Sequence, residues 1–593
     1  MITRRWGSSI LMLSLLTGCF SRSVREEVVA IPSNPLVLAD TYLLHWKQTH
    51  PIESVGLGFH EQDGRFVVPD ARTLTTARQY LHAYGAAVDR VQLEQLPEAN
   101  RYELQLLKQW IATELWAIET QRDPYRNPMF YATALDVSVY LKRDWKPWVE
   151  RVRDLSAILK HAPEVLASAR QNLDPVLPRP YVETAIQVAD GTASFLQNEV
   201  TREVDHLTDA VAKDGFHRAC DLAVRELKGY VEWLKYERLP GANAPFTLGE
   251  GGFAARLKAE MIDLAPKEVL ALGLLELRRE QERFAAAARE IDSTKSPLEV
   301  FKSIQKEHPT AEGLIPDTRR DLEMIRKFVV EQRLVSIPSE VRATVRETLP
   351  PFRSTSFASM DTPGPYETKA TEAYYYVTPV EPEWTAPQKD EWLTAFNYYT
   401  TDVVSIHEAY PGHYVQFLAL NASKAGPVAK LYNSYTFVEG WAHYTEQMVL
   451  DAGFPEVPTG APLTSEQRVR AAKFRLAQSD EALLRLCRLC VAIQMHTEGM
   501  SQAQGIQFFV DNCYYEAKPA ASEANRGTFD PGYCFYTLGK LQLLKLRKDW
   551  HQQEGDRFTL QRFHDEVLRH GAPPIRLLRE KMLKDPAVWP GIL

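Results

Sequence analysis

The sequence predicts a mainly α-helical protein with a small β element. Two observations support this prediction. Apolar residues recur at helical spacing, as at Leu104, Leu107 and Ile111, so one face of that segment is apolar. Prolines that would interrupt a helix cluster between residues 350 and 390, and helical patterns resume after residue 393.

Capping patterns indicate where individual helices begin. In the segment Ser296–Glu299, the serine can cap a helix, the following proline fits the first turn, and the glutamate can reach back to the cap amide. The same spacing of serine or threonine and glutamine recurs in Thr464–Gln467 and Ser501–Gln504. We therefore expect helices to begin at these three places.

The proline-rich stretch contains the candidate β element. Tyr374–Val377 favours a strand because aromatic and β-branched residues are enriched in strands, and it directly precedes a histidine-containing segment. As an edge strand it could pair with an extended peptide, which makes Tyr376 a candidate substrate contact. A surface hairpin is the alternative, and the sequence favours neither.

The length of 593 residues allows more than one domain. We expect a helical N-terminal half at residues 39–345 and a second half, carrying the candidate site, at residues 346–593. The formal net charge is −8. No nucleic-acid partner is expected, because nucleic-acid binding usually requires a basic face.

The N-terminus has the features of an export signal. Two early arginines precede Ile10–Leu16, an apolar stretch too short to span a bilayer. The tetrapeptide Leu-Thr-Gly-Cys, which ends at Cys19, resembles a bacterial lipobox. We therefore expect a lipoprotein signal at residues 1–19, a tether at residues 20–38, and a periplasmic protein that meets the membrane only through lipid on Cys19. A plain secretory signal is the alternative.

The other five cysteines do not form a regular disulfide pattern, because their number is odd and their spacings are irregular. Cys487 and Cys490 form a CxxC inside the helical run Ala482–Met495, without a second CxxC. A buried structural pair is favoured over zinc or redox chemistry.

The segment from His407 to His413 contains residue types that a hydrolytic zinc site requires. Such a site needs three protein ligands, an open position for water, and a carboxylate, here Glu408, that takes a proton. These histidines are two residues further apart than in HExxH, and on an unbroken helix they would point about 120° apart. Pro411 and Gly412 disfavour a regular helix, so we expect a bulge or kink that brings the imidazoles together.

A second segment strengthens the prediction. Glu439, His443 and Glu446 are spaced to share one helix face, and Phe437 and Trp441 suggest that this helix is buried. Glu439 fits the role of a third ligand, and Glu446 could accept a hydrogen bond from a ligand histidine. A solvent-exposed face with salt bridges is the alternative.

Together, HEAYPGHYVQ at residues 407–416 and EGWAHYTE at residues 439–446 resemble a large bacterial family of unassigned function that carries HEAxPGHxxQ and EGWAxYxE. The resemblance extends from Gly56–His60 to Phe563–Leu568. That family is similar to the glutamate-liganded (gluzincin-like) zinc metallopeptidases, and some members carry lipoprotein signals. The resemblance implies a large multi-helical, metallopeptidase-like fold that encloses a cleft. It also implies zinc ligands at His407, His413 and Glu439, and a general base at Glu408.

His443 occupies a position where many relatives are expected to carry an aliphatic residue, so it is a weaker candidate ligand. Tyr536, and after it Tyr533, could donate a hydrogen bond to an oxyanion without adding charge. Further candidates are His496 as a site residue, and Arg547 or Lys540 as the group that binds the C-terminal carboxylate of a peptide.

The predicted function is zinc-dependent hydrolysis of short peptides, of carboxypeptidase or oligopeptidase type. Exo-action is favoured because a long helical N-terminal half could wall a deep cleft. A zinc hydrolase of another amide or ester is one alternative, and a catalytically inert helical lipoprotein that binds or scaffolds is another. The sequence leaves open the oligomeric state, the preferred side chain and the choice of zinc over another divalent metal.

Overall fold

A computed structural model describes residues 31–349, 353, 356–456 and 462–593 of the chain. The predicted signal peptide and Cys19 lie outside the described residues. The mainly helical fold with one small sheet is confirmed. Within the described residues, no helix combines the length and the apolar character that crossing a membrane requires.

The first part of the chain is helical up to residue 331. Its helices are α1 (Leu38–Thr49), α2 (Pro51–Gly56), α3 (Ala71–Asp89), α4 (Glu98–Leu115), α5 (Asp123–Arg126), α6 (Met129–Thr133), α7 (Val139–Lys142), α8 (Trp148–Leu159), α9 (Ala162–Asn172), α10 (Arg179–Phe195), α11 (Thr201–Asp205), α12 (Ala210–Trp233), α13 (Gly249–Ala259), α14 (Pro266–Ile291), α15 (Pro297–Ile304) and α16 (Leu314–Glu331).

A three-stranded sheet follows, and then a second set of helices. The strands are β1 (Ala343–Glu347), β2 (Ala358–Asp361) and β3 (Ala373–Val377). The later helices are α17 (Ala386–Ala395), α18 (Tyr398–Glu408), α19 (His413–Ala422), α20 (Pro427–Leu431), α21 (Tyr435–Asp451), α22 (Ser465–Thr497), α23 (Gln502–Cys513), α24 (Ala517–Phe529), α25 (Phe535–Glu554), α26 (Leu560–Leu568) and α27 (Ile575–Met582).

The predicted strand exists, but its predicted position at an edge is wrong. β3 lies between β1, to which it is parallel, and β2, to which it is antiparallel. All five of its residues are buried, so it is not a surface hairpin either. The sheet packs behind α18, where the hydroxyls of Tyr375 and Ser405 lie 3.2 Å apart. The two edge strands of the sheet are therefore β1 and β2.

The predicted helix starts are confirmed. Ser296 caps α15, and its backbone amide donates to the Glu299 carboxylate at 2.8 Å. Thr464 and Ser501 likewise cap α22 and α23 in reciprocal capping boxes. The apolar face predicted around Leu107 belongs to α4.

Apolar packing connects the two predicted halves of the chain. One buried cluster contains Phe253 and Leu270 from the N-terminal half together with Leu483 and Leu489 from α22. The boundary near residue 345 stays a prediction. The five cysteines of the described chain are buried free thiols, with Cys487 and Cys490 in the same helix α22, which agrees with a structural CxxC.

Candidate metal centre

The helix that carries His407 ends before it reaches His413. α18 stops at Glu408 and α19 begins at His413, so the predicted bulge or kink is a complete break. In the break, the amide of Gly412 donates to the carbonyl of Ile406 at 3.0 Å. A Cβ at residue 412 would lie 1.7 Å from the carbonyl oxygen of His407. Glycine is therefore required here by the close approach of two backbone segments.

Trp441 of α21 holds this break from the opposite side. Its buried indole nitrogen donates to the carbonyl oxygens of Pro411 at 3.0 Å and Gly412 at 3.3 Å. The carbonyl of Pro411 lies in the break, whereas that of Gly412, the N-cap of α19, also accepts from the amide of Gln416 at 3.1 Å. The sequence pattern indicated only that Trp441 is buried, and it did not reveal this contact between the two motifs.

The break brings the two imidazoles together over one carboxylate. The rings of His407 and His413 have centroids 4.9 Å apart and are nearly perpendicular, at 89°. The Nε2 atoms of both rings lie 3.6 Å from the same atom, Oε2 of Glu439. Ligand atoms at about 2.0–2.2 Å from a tetrahedral zinc lie about 3.3–3.6 Å apart. The three side chains therefore fit a divalent metal of this kind.

Unsatisfied polar atoms support the same fit. Oε2 of Glu439 is buried and has no hydrogen-bond partner in the described part of the chain. Burial alone would raise the pKa of Glu439, but His413 and His407 lower it well below its usual range, so the carboxylate stays ionised. A buried anionic oxygen without a hydrogen bond is unfavourable unless a cation compensates it.

A fully buried carboxylate orients the first histidine. Glu446 accepts a hydrogen bond from Nδ1 of His407 at 2.7 Å and another from Nδ1 of His443 at 3.0 Å. Burial would raise the pKa of Glu446, but Arg485, at 3.3 Å, and His443 lower it strongly. Burial lowers the pKa of His407, but hydrogen bonding to Glu439 and Glu446 raises it to about 9. The ring is therefore protonated between the two carboxylates, and a metal that replaced the Nε2 proton would meet a neutral imidazole whose Nδ1 proton stays with Glu446.

The weaker candidate ligand, His443, faces this buried carboxylate through Nδ1. Its pKa is lowered to about 3 by burial and by Lys540, so its ring is neutral. Among the described residues, the potential ligand atoms that lie within 4.8 Å of one another belong to His407, Glu408 and His413, and this group includes neither His443 nor Glu439.

Glu408 lies beside the imidazoles. One oxygen of Glu408 and one ring nitrogen from each of His407 and His413 all lie within 4.8 Å of one another. Burial raises the pKa of Glu408, although the two histidines and the backbone amide of Met360 in β2 act in the opposite direction. The carboxyl group therefore lies close to the candidate metal position and to the edge strand.

Helix α25 brings Tyr536 to the same region because α21 and α25 approach very closely. A Cβ on Gly440 would lie 2.4 Å from the Cα of Gly539. The ring of Tyr536 stacks on that of His407, with centroids 6.3 Å apart at 15°. Burial, and then Glu439, raises the pKa of Tyr536 to about 12, so its hydroxyl keeps its proton near neutral pH.

Two arginines that the sequence analysis did not identify flank Tyr536. The guanidinium carbons of Arg485 and Arg488 lie 5.7 Å and 5.4 Å from its ring centroid. Arg488 is also paired with Glu523 through two hydrogen bonds of 2.8 Å. Both arginines lie in the middle of the long helix α22, where no short motif marks them.

The other candidate residues lie in different surroundings. His496 is buried and donates from Nε2 to the carbonyl of Gly527 at 2.8 Å. Arg547 donates to the hydroxyl of Tyr444 at 3.0 Å. Lys540 is buried, and burial lowers its pKa. In the described part of the chain, none of the three has a hydrogen bond or ion pair with the two imidazoles or with Glu439.

The remaining two candidates are buried tyrosines. Tyr376 lies in the central strand β3 and is 6% exposed. Tyr533 is fully buried, and its hydroxyl has no hydrogen-bond partner within the described chain. Of the two candidate oxyanion donors, Tyr536 is therefore the one that packs against His407.

A cavity of about 370 Å³ opens beside Glu439. Thr113 of α4 and Arg256 of α13 contribute to its lining. Tyr432, just before α21, and Tyr435, the first residue of α21, line it as well. The helical N-terminal half thus forms part of the wall next to the candidate metal centre.

Comparisons with known proteins identify relatives over most of the chain. A protein from Shewanella oneidensis, described as a candidate lipoprotein of unknown function, is 22% identical, with a TM-score of 0.73 over 92% of this chain and 99% of that chain. A candidate lipoprotein from Colwellia psychrerythraea is 16% identical, with a TM-score of 0.76 over 93% of this chain and 99% of that chain. These similarities show a shared fold.

No curated protein matches the chain. The family described as "Bacterial protein of unknown function (DUF885)" matches residues 51–582, which include every residue of the candidate metal centre. The chain therefore belongs to this bacterial family.

Proposed function

We propose that the protein is a zinc-dependent peptidase that cleaves short peptides with Glu408 as the general base. One observation carries the proposal: Nε2 of His407 and Nε2 of His413 lie at the same distance, 3.6 Å, from one buried oxygen of Glu439. A metal-binding geometry with an adjacent carboxyl group that is not needed as a ligand is typical of hydrolytic sites.

The ligand set would consist of His407, His413 and Glu439. Imidazole and carboxylate ligands favour zinc among the common divalent ions. A zinc ion bound there supplies Lewis-acid polarisation of a water molecule and of the substrate carbonyl. This set resembles that of the glutamate-liganded zinc peptidases, in which the third ligand comes from a later helix.

The chain's own groups would perform the proton transfers. Glu408 accepts a proton from the attacking water and later passes it to the leaving amine. Tyr536 donates a hydrogen bond to the carbonyl oxygen as negative charge develops on it, and it does so without becoming charged itself. Glu446 keeps His407 in the tautomer and orientation that its role requires.

The edge strand β2 supports a peptide as the substrate. The backbone amide of Met360 in β2 is close enough to Glu408 to lower its pKa. An extended peptide can add to a sheet edge through main-chain hydrogen bonds. A peptide paired with β2 would pass beside Glu408. The strand β2 would then pair with the substrate, as was expected of the strand that contains Tyr376.

We further propose that the protein is exported and anchored by lipid on Cys19. The lipobox-like sequence before Cys19 supports this, and the solved relatives are themselves described as candidate lipoproteins. The membrane would then hold the tether and leave the folded chain in the periplasm.

The test combines metal content with hydrolysis by the wild type and by Glu408→Gln. We expect one tightly bound zinc in both proteins, and a loss of peptide hydrolysis in the variant of about 100-fold to 10,000-fold. Retained hydrolysis by the zinc-loaded variant would reject the role of Glu408. Wild-type cleavage of amide or ester probes but of no peptide would favour the broader hydrolase, and no cleavage of any probe would favour an inert binding protein.

A further inference from the structure

We propose that the cavity beside Glu439 binds a carboxylate group of the substrate through Arg256, which makes the enzyme selective for peptides that carry such a group. The inference rests on the proposed peptidase function and names its substrate class. The cavity volume of about 370 Å³ lies within the range of about 300–1,000 Å³ that is usual for ligand sites. Because Glu439 lines it, a ligand in the cavity lies next to the candidate metal position.

Arg256 is held rigidly but retains donors. Its guanidinium lies 5.4 Å from the ring of Trp116 and 4.6 Å from that of Phe535, and the side chain is 7% exposed. Both of its Nη atoms contact a single oxygen of Glu260 at 3.3 Å. Charge-assisted hydrogen bonds are usually about 2.7–2.9 Å long, so this pairing is loose. An arginine has five N–H groups, and these two contacts do not use them all.

The acceptors of Glu260 are committed to the helix that carries Glu439. Glu260 accepts from the hydroxyl of Ser434, from the amide of Tyr435 at 3.2 Å and from the amide of Thr436 at 3.4 Å. It therefore caps the N-terminus of α21 and offers little to a cationic ligand. With Glu439 bound to the proposed metal, the polar groups that remain for a ligand are mainly donors.

A second lining residue points to the same ligand chemistry. Tyr432 is 5% exposed, and its hydroxyl has no hydrogen-bond partner in the described chain. Asn433, which is exposed, adds a side-chain amide to the lining. A ligand that satisfies unpaired N–H and O–H groups must supply acceptors, and a carboxylate supplies the strongest acceptors in a peptide.

The carboxylate could come from the peptide's C-terminus or from an acidic side chain. Three peptides of equal length separate these sources: one with a free C-terminus and glutamine, one with an amidated C-terminus and glutamine, and one with an amidated C-terminus and glutamate. We expect the zinc-loaded full mature protein to show a kcat/KM at least tenfold higher for one carboxylate peptide than for the amidated glutamine peptide. The preferred peptide identifies the source.

Two variants test the assignment to the cavity. Arg256→Gln removes the charge but keeps a donor for Glu260, and it should reduce the tenfold preference to about twofold or less. Asn433→Asp is isosteric at an exposed position, and it should reduce the preference severalfold at low salt by charge repulsion. Arg151→Gln is the matched control, because Arg151 is another buried arginine paired with an acid, Asp144, and it should leave the ratio unchanged.

Calorimetric binding of the same peptides to Glu408→Gln makes the result independent of turnover. Tighter binding of a carboxylate peptide, lost in the double variant with Arg256→Gln, supports the cavity even if the wild type cleaves no peptide, in which case only the proposed function fails. Equal affinity for the three peptides, or a preference that survives both Arg256→Gln and Asn433→Asp, would overturn the inference.

Discussion

The two segments that carry the candidate ligands are built in opposite ways. Between His407 and His413 the helix is broken, whereas Glu439, His443 and Glu446 lie on the unbroken helix α21. Residues three, four and seven positions apart share a helix face, so α21 presents both carboxylates without distortion. A separation of six residues does not share a face, and only a break can bring those imidazoles together. The broken segment therefore depends on backbone details that the continuous helix does not need.

The largest effect that this comparison predicts follows from substitution inside the break. Gly412→Ala would insert a Cβ 1.7 Å from the carbonyl oxygen of His407, so the break cannot keep its form. We expect a loss of about 3 kcal/mol in the free energy of unfolding, together with the loss of stoichiometric zinc. Denaturant unfolding and elemental analysis of the dialysed protein measure the two quantities.

Gly191→Ala provides the matched control for that substitution. Gly191 lies in α10, and a Cβ there would have no neighbour within 4 Å. Because alanine favours a helix over glycine, this variant should be up to about 1 kcal/mol more stable and should keep its metal. A Gly412→Ala protein that retains one tightly bound zinc would show that the break is not required.

The next effect arises on the continuous helix. Glu446→Gln keeps the shape of the side chain but removes the charge that faces His407, His443 and Arg485. Loss of a carboxylate that orients a ligand histidine typically weakens metal binding by about 10- to 100-fold. Competition with a chromogenic chelator measures this affinity in the wild type and in the variant.

Glu481→Gln is the control for Glu446→Gln. Glu481 is the other carboxylate that pairs with Arg485, and it has no hydrogen bond or ion pair with His407 in the described chain. Its loss should change zinc affinity by less than about threefold. If both variants weakened zinc binding equally, the effect would belong to Arg485 and not to the orientation of His407.

The same contrast explains what the sequence could predict. Regular spacing on α21 was sufficient to predict that Glu439 and Glu446 share one helix face, because helix geometry is local. That this face meets the histidines was a hypothesis from the glutamate-liganded pattern and not from the spacing. Pro411 and Gly412 predicted a disturbance but not a complete break. The form of the break depends on hydrogen bonds from Trp441, which lies 30 residues after Pro411 in the chain. Local propensities contain no information about such a contact.

Long-range pairing limited the other predictions in the same way. Tyr374–Val377 was recognised as a strand, but its central position depends on β2, Ala358–Asp361, whose composition gives no strand signal. Arg256 and Glu260 were not recognised because Glu260 caps a helix that begins 175 residues later. Arg547 and Lys540 looked suitable as carboxylate-binding cations, and only their contacts and their positions outside the cavity lining separate them from Arg256.

A smaller effect is expected where the two segments touch. Trp441→Phe keeps an aromatic ring but removes the N–H that donates to the carbonyls of Pro411 and Gly412. Leaving these buried acceptors without that donor should cost about 1–2 kcal/mol of stability and weaken zinc binding by roughly tenfold. Thermal unfolding and chelator competition measure both. Trp148→Phe removes an exposed indole bond to Glu203 and should change neither quantity appreciably.

The smallest effect on zinc binding is expected for substitution of His443, and substitution of His413 provides the contrast. His443 contacts Glu446 through Nδ1, and its pKa of about 3 keeps it neutral, so it acts as a hydrogen-bond donor within the core. A glutamine at that position can still donate, and His443→Gln should weaken zinc binding by no more than about threefold. His413→Gln removes one of the three proposed ligands and should abolish tight binding.

Side-by-side chelator competition with these two variants decides which imidazoles belong to the ligand set. Equal loss of zinc in both would make His443 a ligand, and the continuous helix would then supply two ligands to the metal instead of one. The break between α18 and α19 would in that case no longer be the feature that completes the site. A small effect for His443→Gln beside a complete loss for His413→Gln would mean that His413 is a ligand and that the break is needed to place it. The continuous helix α21 would then supply Glu439 as the third ligand and Glu446 as the carboxylate that orients His407.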